Sequence, residues 1–172
     1  MIPTISTARL TLRPFAESDL DAWAEIVADE ETTEYIGGVQ SREDAWRSIA
    51  LFLGHWSLRG FGPWAVEVRG SGRLIGRAGL WYPEGWPELE VGWTLSRDAW
   101  GEGYATEAGE AAIEWGFSTL GLDRIGAVIA LDNARSRAVA IRLGMSLDYE
   151  TELYTGDSVV VYALNRTAAG PA

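Results

Sequence analysis

Leu10 and Leu12 alternate with Arg9, Thr11 and Arg13, an apolar–polar period of two that predicts a first strand, closed by Pro14. The period then lengthens. Behind Ser18, a residue suited to capping, Leu20, Trp23, Ala24 and Val27 fall on one face of a predicted helix. Ser41 opens a second helix with a stripe of Trp46, Ile49, Ala50, Leu53 and Trp56, and Gly60 and Pro63 end it. Three strand-like runs follow: Trp64 to Val68, Leu74 to Trp81 and Glu88 to Leu95. Gly70-Ser71-Gly72 turns the first into the second, and a Pro/Gly-rich loop from Pro83 to Pro87 leads into the third. Short strands joined by turns predict an antiparallel meander.

A glycine-rich loop then leads into a helix from about Gly103 to Leu120. Arg124 to Leu131 reads as a strand and Asn133 to Leu143 as a helix closed by Gly144. Leu147 to Tyr154 and Ser158 to Leu164 form a last pair turned at Gly156-Asp157. The order β-α-α-β-β-β-α-β-α-β-β predicts an α+β fold, a mixed and mostly antiparallel sheet of about seven strands with about four helices. It contains one strand–helix–strand crossover and is not the alternating arrangement of dinucleotide-binding folds. A chain of 172 residues is one domain's worth. Residues 1–164 are assigned to that domain, and 165–172 to a small, polar, disordered tail.

Composition removes much chemistry. There is no Cys and one His, His55, so thiolate zinc sites, a cysteine nucleophile and a His-rich metal centre lack their ligands; no metal is expected. All 14 cationic side chains are Arg, which excludes a Schiff-base lysine and the lysine of a Walker loop. The net charge of −11 opposes a nucleic-acid partner. It steers cationic substrates inward, or simply keeps the surface solvated. No targeting segment or long apolar run is visible, so no membrane association and a cytoplasmic location are expected.

The most specific segment is Trp100-Gly101-Glu102-Gly103-Tyr104-Ala105-Thr106, between the third meander strand and a helix. Two glycines in step allow a tight turn that brings backbone N–H groups close to a ligand. The helix starting there adds unpaired N–H donors and the positive end of its dipole, an anion site suited to a pyrophosphate. Local Arg97, Arg135 or Arg137 are expected to help hold it. A Rossmann site fits poorly, because the third glycine position is Thr106 and the loop follows antiparallel strands. The front of the helix is slim (Ala105, Ala108, Gly109, Ala112), either for close packing on a strand or to admit a narrow ligand arm.

Together, Trp93-Thr94-Leu95, the run Gly101 to Ala108, and Asn133-Ala134-Arg135-Ser136 ending in Arg142-Leu143-Gly144-Met145 resemble the GNAT family of N-acetyltransferases. The opening Arg9-Leu10-Thr11-Leu12-Arg13-Pro14 is similar to its ribosomal-protein N-terminal acetyltransferase (Rim-type) branch. The likeness spans about residues 8–164. It implies that acetyl-CoA is the co-substrate, with its pyrophosphate on the amides of Gly101, Glu102, Gly103, Tyr104, Ala105 and Thr106. Its pantetheine arm would pair like an extra strand with the backbone of Trp93, Thr94 and Leu95. Asn133 and Ser136 would line the site. At the head of the loop, where the family usually has Gln or Arg, stands Trp100.

Acetyl transfer to an amine needs a carboxylate to take the proton, a backbone donor for the thioester oxygen, and a proton for the leaving thiolate. No covalent acetyl-enzyme is required. Glu90, on the third meander strand, is the candidate base, with Glu88 on the same face by period two and able to raise its pKa. The Tyr that many family members use as proton donor is Ala140 here, so Ser136 is the candidate acid. Asn133 doubles as a helix N-cap, and His55 reads as a partly buried helix residue. Trp81, Trp86 and Trp93 surround the Pro/Gly loop as core or as an aromatic substrate wall, and exposed tryptophan would mark a homodimer face. The leading reading is an acetyl-CoA-dependent N-acetyltransferase acting on an amine-bearing small molecule or a protein N-terminus. The alternatives are a non-catalytic acyl-CoA-binding module on the same fold and a nucleotide-cofactor oxidoreductase.

Overall fold

The computed structural model describes residues 1–166. Eight strands form one sheet: β1 (Ile5–Ser6), β2 (Leu10–Arg13), β3 (Pro63–Val68), β4 (Arg73–Trp81), β5 (Glu90–Leu95), β6 (Arg124–Ala130), β7 (Ser146–Glu152) and β8 (Ser158–Asn165). Their spatial order is β1-β2-β3-β4-β5-β6-β8-β7, antiparallel throughout except for β5 beside β6. Five helices complete the fold: α1 (Leu20–Val27), α2 (Glu30–Thr33), α3 (Arg42–Arg59), α4 (Tyr104–Thr119) and α5 (Ala134–Arg142). The predicted α+β class and the crossover β5–α4–β6 are present. The two-residue β1 and the one-turn α2 are additions, each too short to leave a hydrophobic period. Of the predicted tail, Asn165 ends β8 and the Arg166 N–H donates to the Asp123 carbonyl (2.8 Å). Residues 167–172 lie outside the described part.

The two sheet faces carry separate cores. On one, α4 lays Ala108, Ala112 and Ile113 against Leu80, Val91, Leu95, Ile125 and Ala127. The slim face of α4 serves close packing: a Cβ at Gly109 would lie 2.9 Å from Leu143 Cδ1, and one at Gly116 would lie 2.8 Å from Ile125 Cδ1. On the other face, α1 and α3 cover Ala65, Leu74 and Trp81. Here Phe15, Trp23 and Phe52 pack ring to ring with centroids 5.4–6.0 Å apart, pairs that each contribute about 0.5–1.5 kcal/mol beyond area burial.

Two helix assignments need correction. The Ser18 hydroxyl caps nothing; it lies in a 3-10 turn (Glu17–Asp19) where Asp19 accepts the Ala16 N–H (2.8 Å) and pairs with Arg13. Ser41 does cap α3, accepting the Asp44 N–H at 3.1 Å. The buried stripe of α3 is Ala45, Ile49, Phe52, His55 and Trp56, with Trp46 51% exposed. The helix is rotated because Phe52 joins the Phe15–Trp23 cluster.

Candidate active site

Glycine geometry shapes the loop from Trp100 to Thr106. Gly101 (φ 82°) and Gly103 (φ 80°) both adopt the left-handed region that other residues resist, and Gly103 is the N-cap of α4. Among the described residues no protein acceptor takes the N–H of Gly101, Glu102 or Gly103, and the first turn of α4 adds its own free donors. The Glu102 carbonyl is held by Arg9 Nη1 (2.8 Å), and the Arg9 guanidinium lies 4.6 Å over the Tyr104 ring. Glu107, the acid of that first turn, is turned aside: it accepts from Thr7 Oγ1 (2.6 Å), Arg9 N (2.8 Å) and Arg9 Nε (2.7 Å). The positive helix end therefore stays uncompensated. Arg142 Nε reaches Thr106 Oγ1 (3.3 Å), while Ala105 lies half-buried behind the loop.

The three arginines read as helpers are mostly engaged elsewhere. Arg97 pairs with Glu31, Arg137 donates to Tyr162 Oη (3.3 Å) and the Leu131 carbonyl (3.2 Å), and Arg135 stacks 4.5 Å over the Trp100 ring while approaching Glu34 (3.4 Å). Arg9 and Arg142, the cations that do brace the loop, stand in the sequence only within the family-like runs Arg9–Pro14 and Arg142–Met145, with nothing there to place them beside residue 101.

The parallel strands β5 and β6 meet at one register point, Glu90 opposite Gly126, where the Gly126 N–H donates to the Leu89 carbonyl (2.9 Å). Beyond it they part. The period of two that turns Leu89 toward β6 also turns the main chain of Trp93 and Leu95 to that side. The Leu95 carbonyl is already taken by Trp100 Nε1 (2.9 Å), which leaves the Trp93 amide and carbonyl facing the gap. The Thr94 main chain points to β4 instead, opposite Arg77.

Glu90 sits at the apex of this gap. Its Oε2 accepts the Val128 N–H at 2.7 Å, doing for β6 what a ladder carbonyl would have done, and its Oε1 accepts from Trp86 Nε1 at 2.9 Å. The side chain is buried, and burial pushes its pKa up to about 7; the Val128 N–H, the Arg77 charge and the Trp86 N–H pull the other way, and Glu88 adds a smaller push upward. The cause expected from the sequence, a pair of acids on one strand face, is thus the least of these. Glu88 precedes β5 and is occupied by Arg124 (3.2 Å) and the Tyr149 hydroxyl (3.1 Å), and a Cβ on Gly126 would come within 2.3 Å of its Oε1.

On α5, Asn133 is the N-cap: its Oδ1 accepts the Ser136 N–H (3.0 Å). The half-buried Ser136 has no hydroxyl partner among the described residues, and Ala140 is fully buried in the α4-side core. His55 is buried, not partly buried. Its Nε2 accepts the Tyr82 N–H (3.1 Å), so its Nδ1 carries the proton donated to the Phe61 carbonyl (2.7 Å), and the ring stacks 4.4 Å from Trp81. With both nitrogens used, it ties α3 to the end of β4. Of the tryptophans, Trp81 belongs to the α3-side core, and Trp86 holds Glu90. Among the described residues no group of three His, Cys, Asp or Glu side chains is placed to hold a metal, and no helix is long and apolar enough to cross a membrane.

Residues 9–146 match the acetyltransferase (GNAT) domain family. The chain is 29% identical to the uncharacterized N-acetyltransferase YoaA of Bacillus subtilis over 168 residues, 96% of this chain and 95% of that protein. The crystal structure of an acetyltransferase from Agrobacterium tumefaciens superposes with a TM-score of 0.87 at 32% identity, covering 96% of each chain. A RimL ribosomal alpha-N-protein acetyltransferase, solved in complex with coenzyme A, shares the fold with a TM-score of 0.78 at 19% identity over 95% of this chain and 98% of that one. An amide loop heading a helix, two strands that part beside it and a match over most of the length agree: the chain belongs to the GNAT family and is an acetyltransferase.

Proposed function

We propose that the enzyme transfers the acetyl group of acetyl-CoA directly to a primary amine, with Glu90 as the base. The observation that carries this reading is Glu90 itself, a buried carboxylate with a pKa near 7 at the point where β5 and β6 separate. Acetyl-CoA supplies the acyl group as an activated thioester. The free amides of Gly101 to Thr106 suit its diphosphate, and the outward main chain of Trp93 suits its pantetheine amides. Glu90 accepts a proton from the acceptor ammonium and so frees the nitrogen lone pair for the carbonyl carbon. A C–N bond forms and the C–S bond breaks, and the second proton of the former ammonium leaves the new amide nitrogen for solvent. The Ser136 hydroxyl, uncommitted to any protein acceptor, supplies the proton for the departing sulfur and regains one from solvent.

The alternative of a non-catalytic acyl-CoA-binding module leaves the tuning of Glu90 without purpose, and the oxidoreductase reading has no support in the family match. Acceptor-dependent release of CoA thiol, with the acetyl group found on the amine nitrogen by mass spectrometry, tests the proposal. An acetylated protein trapped by acid quench, with ping-pong kinetics, contradicts direct transfer. Ser136→Ala is expected to lower kcat while leaving the KM for acetyl-CoA within about twofold.

A further inference from the structure

We infer that the acceptor is a small amino acid, and that Arg77 on β4 binds its carboxylate while Glu90 receives its ammonium. This rests on the direct-transfer reading above and narrows it to a substrate class. Arg77, Gly79 and Trp81 share one sheet face with Thr94, Gly92 and Glu90, paired rung by rung: Arg77 opposite Thr94, Gly79 opposite Gly92, Trp81 opposite Glu90. The middle rung has no side chains. At one end of that bare floor stands the base, and at the other two polar groups with nothing to bind. Among the described residues the Arg77 guanidinium makes no hydrogen bond or ion pair; its Cζ lies 5.4 Å from the Phe52 ring. Thr94 is 5% exposed and its Oγ1 has no partner.

Such an arrangement is costly unless something else completes it, since a guanidinium has five donors and a sheltered, unpaired polar group loses its hydration for no return. Other arginines of the sheet are satisfied: Arg13 by Asp19 and Glu67, Arg124 by Glu88 and Asp148. In a chain with 25 acidic residues, this half-buried arginine has none within ion-pair distance among the described residues, Glu90 acting on it only across the gap. The space beside it is real. A Cβ on Gly92 would lie 3.7 Å from Arg77 Nη1 and 4.0 Å from Glu90 Oε1, so both charged groups border the same small volume, and Gly92 is partly open while Val91 and Thr94 are buried.

A planar guanidinium takes a carboxylate through two parallel hydrogen bonds, and the Thr94 hydroxyl is placed to add a third. An amine and a carboxylate that must both fit between Arg77 and Glu90 are separated by few bonds. A free amino acid meets this requirement. A polyamine has no anion for Arg77, and in a polypeptide N-terminus the nearby carboxyl is an uncharged amide. The acidic surface, which favours cations at long range, is thus overruled locally by one sheltered arginine.

The test is steady-state acetylation of each standard amino acid, its α-carboxamide, spermidine and a tripeptide, by the wild type, Arg77→Gln, Arg77→Lys and Gly92→Ala. The wild type is expected to favour at least one free acid over its carboxamide by about 10- to 100-fold in kcat/KM, mostly through KM. Arg77→Gln should erase that ratio, Arg77→Lys should restore part of it, and Gly92→Ala, whose methyl makes only ordinary contacts, should raise the KM for the acid. Circular dichroism and the dissociation constant for acetyl-CoA verify folding and co-substrate binding in each variant. Transfer to carboxamides, spermidine or the tripeptide but not to free acids overturns the inference and leaves the transferase reading standing, as does an Arg77→Gln loss equal for acid and carboxamide. Failure to acetylate any acceptor while acetyl-CoA binds overturns both.

Discussion

Around Gly101–Thr106 the groups free to meet a ligand are main-chain amides, whereas around Glu90 they are side chains whose character is set by what buries them. The amide loop needs only two left-handed glycines and the start of a helix, and its local braces, Arg9 on the Glu102 carbonyl and Arg142 on Thr106, are peripheral to the donors themselves. The Glu90 face depends on partners from three places in the chain: Trp86 in a loop, Val128 on β6 and Arg77 on β4. On the proposed reading, one region binds by backbone shape and should tolerate side-chain change. The other works by environment and should not.

The largest separation of the two comes from Glu90→Gln. It is expected to lower kcat at neutral pH by about 10²–10⁴-fold, the usual range for a lost general base, while isothermal titration finds acetyl-CoA binding unaltered. Equal loss of binding would merge the two regions. Next, Gly101→Val forces a β-branched residue into a left-handed conformation that costs about 1–3 kcal/mol. Because nothing lies within 4 Å of its added Cβ, the strain falls on the loop alone, and acetyl-CoA affinity should drop about tenfold or more with little change in the pH dependence of turnover. A smaller effect is expected from Trp86→Phe, which removes one N–H from the Glu90 carboxylate. The Glu90 pKa should rise further, moving the acid limb of the rate profile to higher pH.

Stability offers the gentlest check. Glu90 titrates at about 7 in the fold against 4.5 for the free side chain, so the folded state holds a proton that the unfolded chain has released. Its contribution is most favourable below pH 4.5 and is lost as pH rises through 7. Thermal melts across this window should show a decline in the wild type that Glu90→Gln lacks.

This contrast also explains what the sequence discloses. The glycine loop is legible because its chemistry is local: neighbouring residues fix both the turn and the donors. The strands of the meander and the crossover are legible for the same reason, through period and turn residues. Glu90 is locatable by period and family likeness, but the cause of its altered pKa is not, since its burial beside Trp86 and β6 is a product of folding. The α3 stripe misses Phe52 because the ring cluster with Phe15 and Trp23 decides the rotation, not the helix's own pattern. Arg77 is silent in sequence, one arginine of 14, and becomes conspicuous only when the fold sets it beside Gly92 and Phe52 with no ion pair of its own among the described residues.

The most direct measurement is the pH dependence of kcat/KM for the acceptor in wild type and Glu90→Gln. The wild type should show an ionisation near 7, activity falling on its acid side, and the variant should lose that inflection and follow only the free-amine fraction of the acceptor. A variant that keeps the inflection, or a wild type without one, contradicts the assignment of Glu90 as the base.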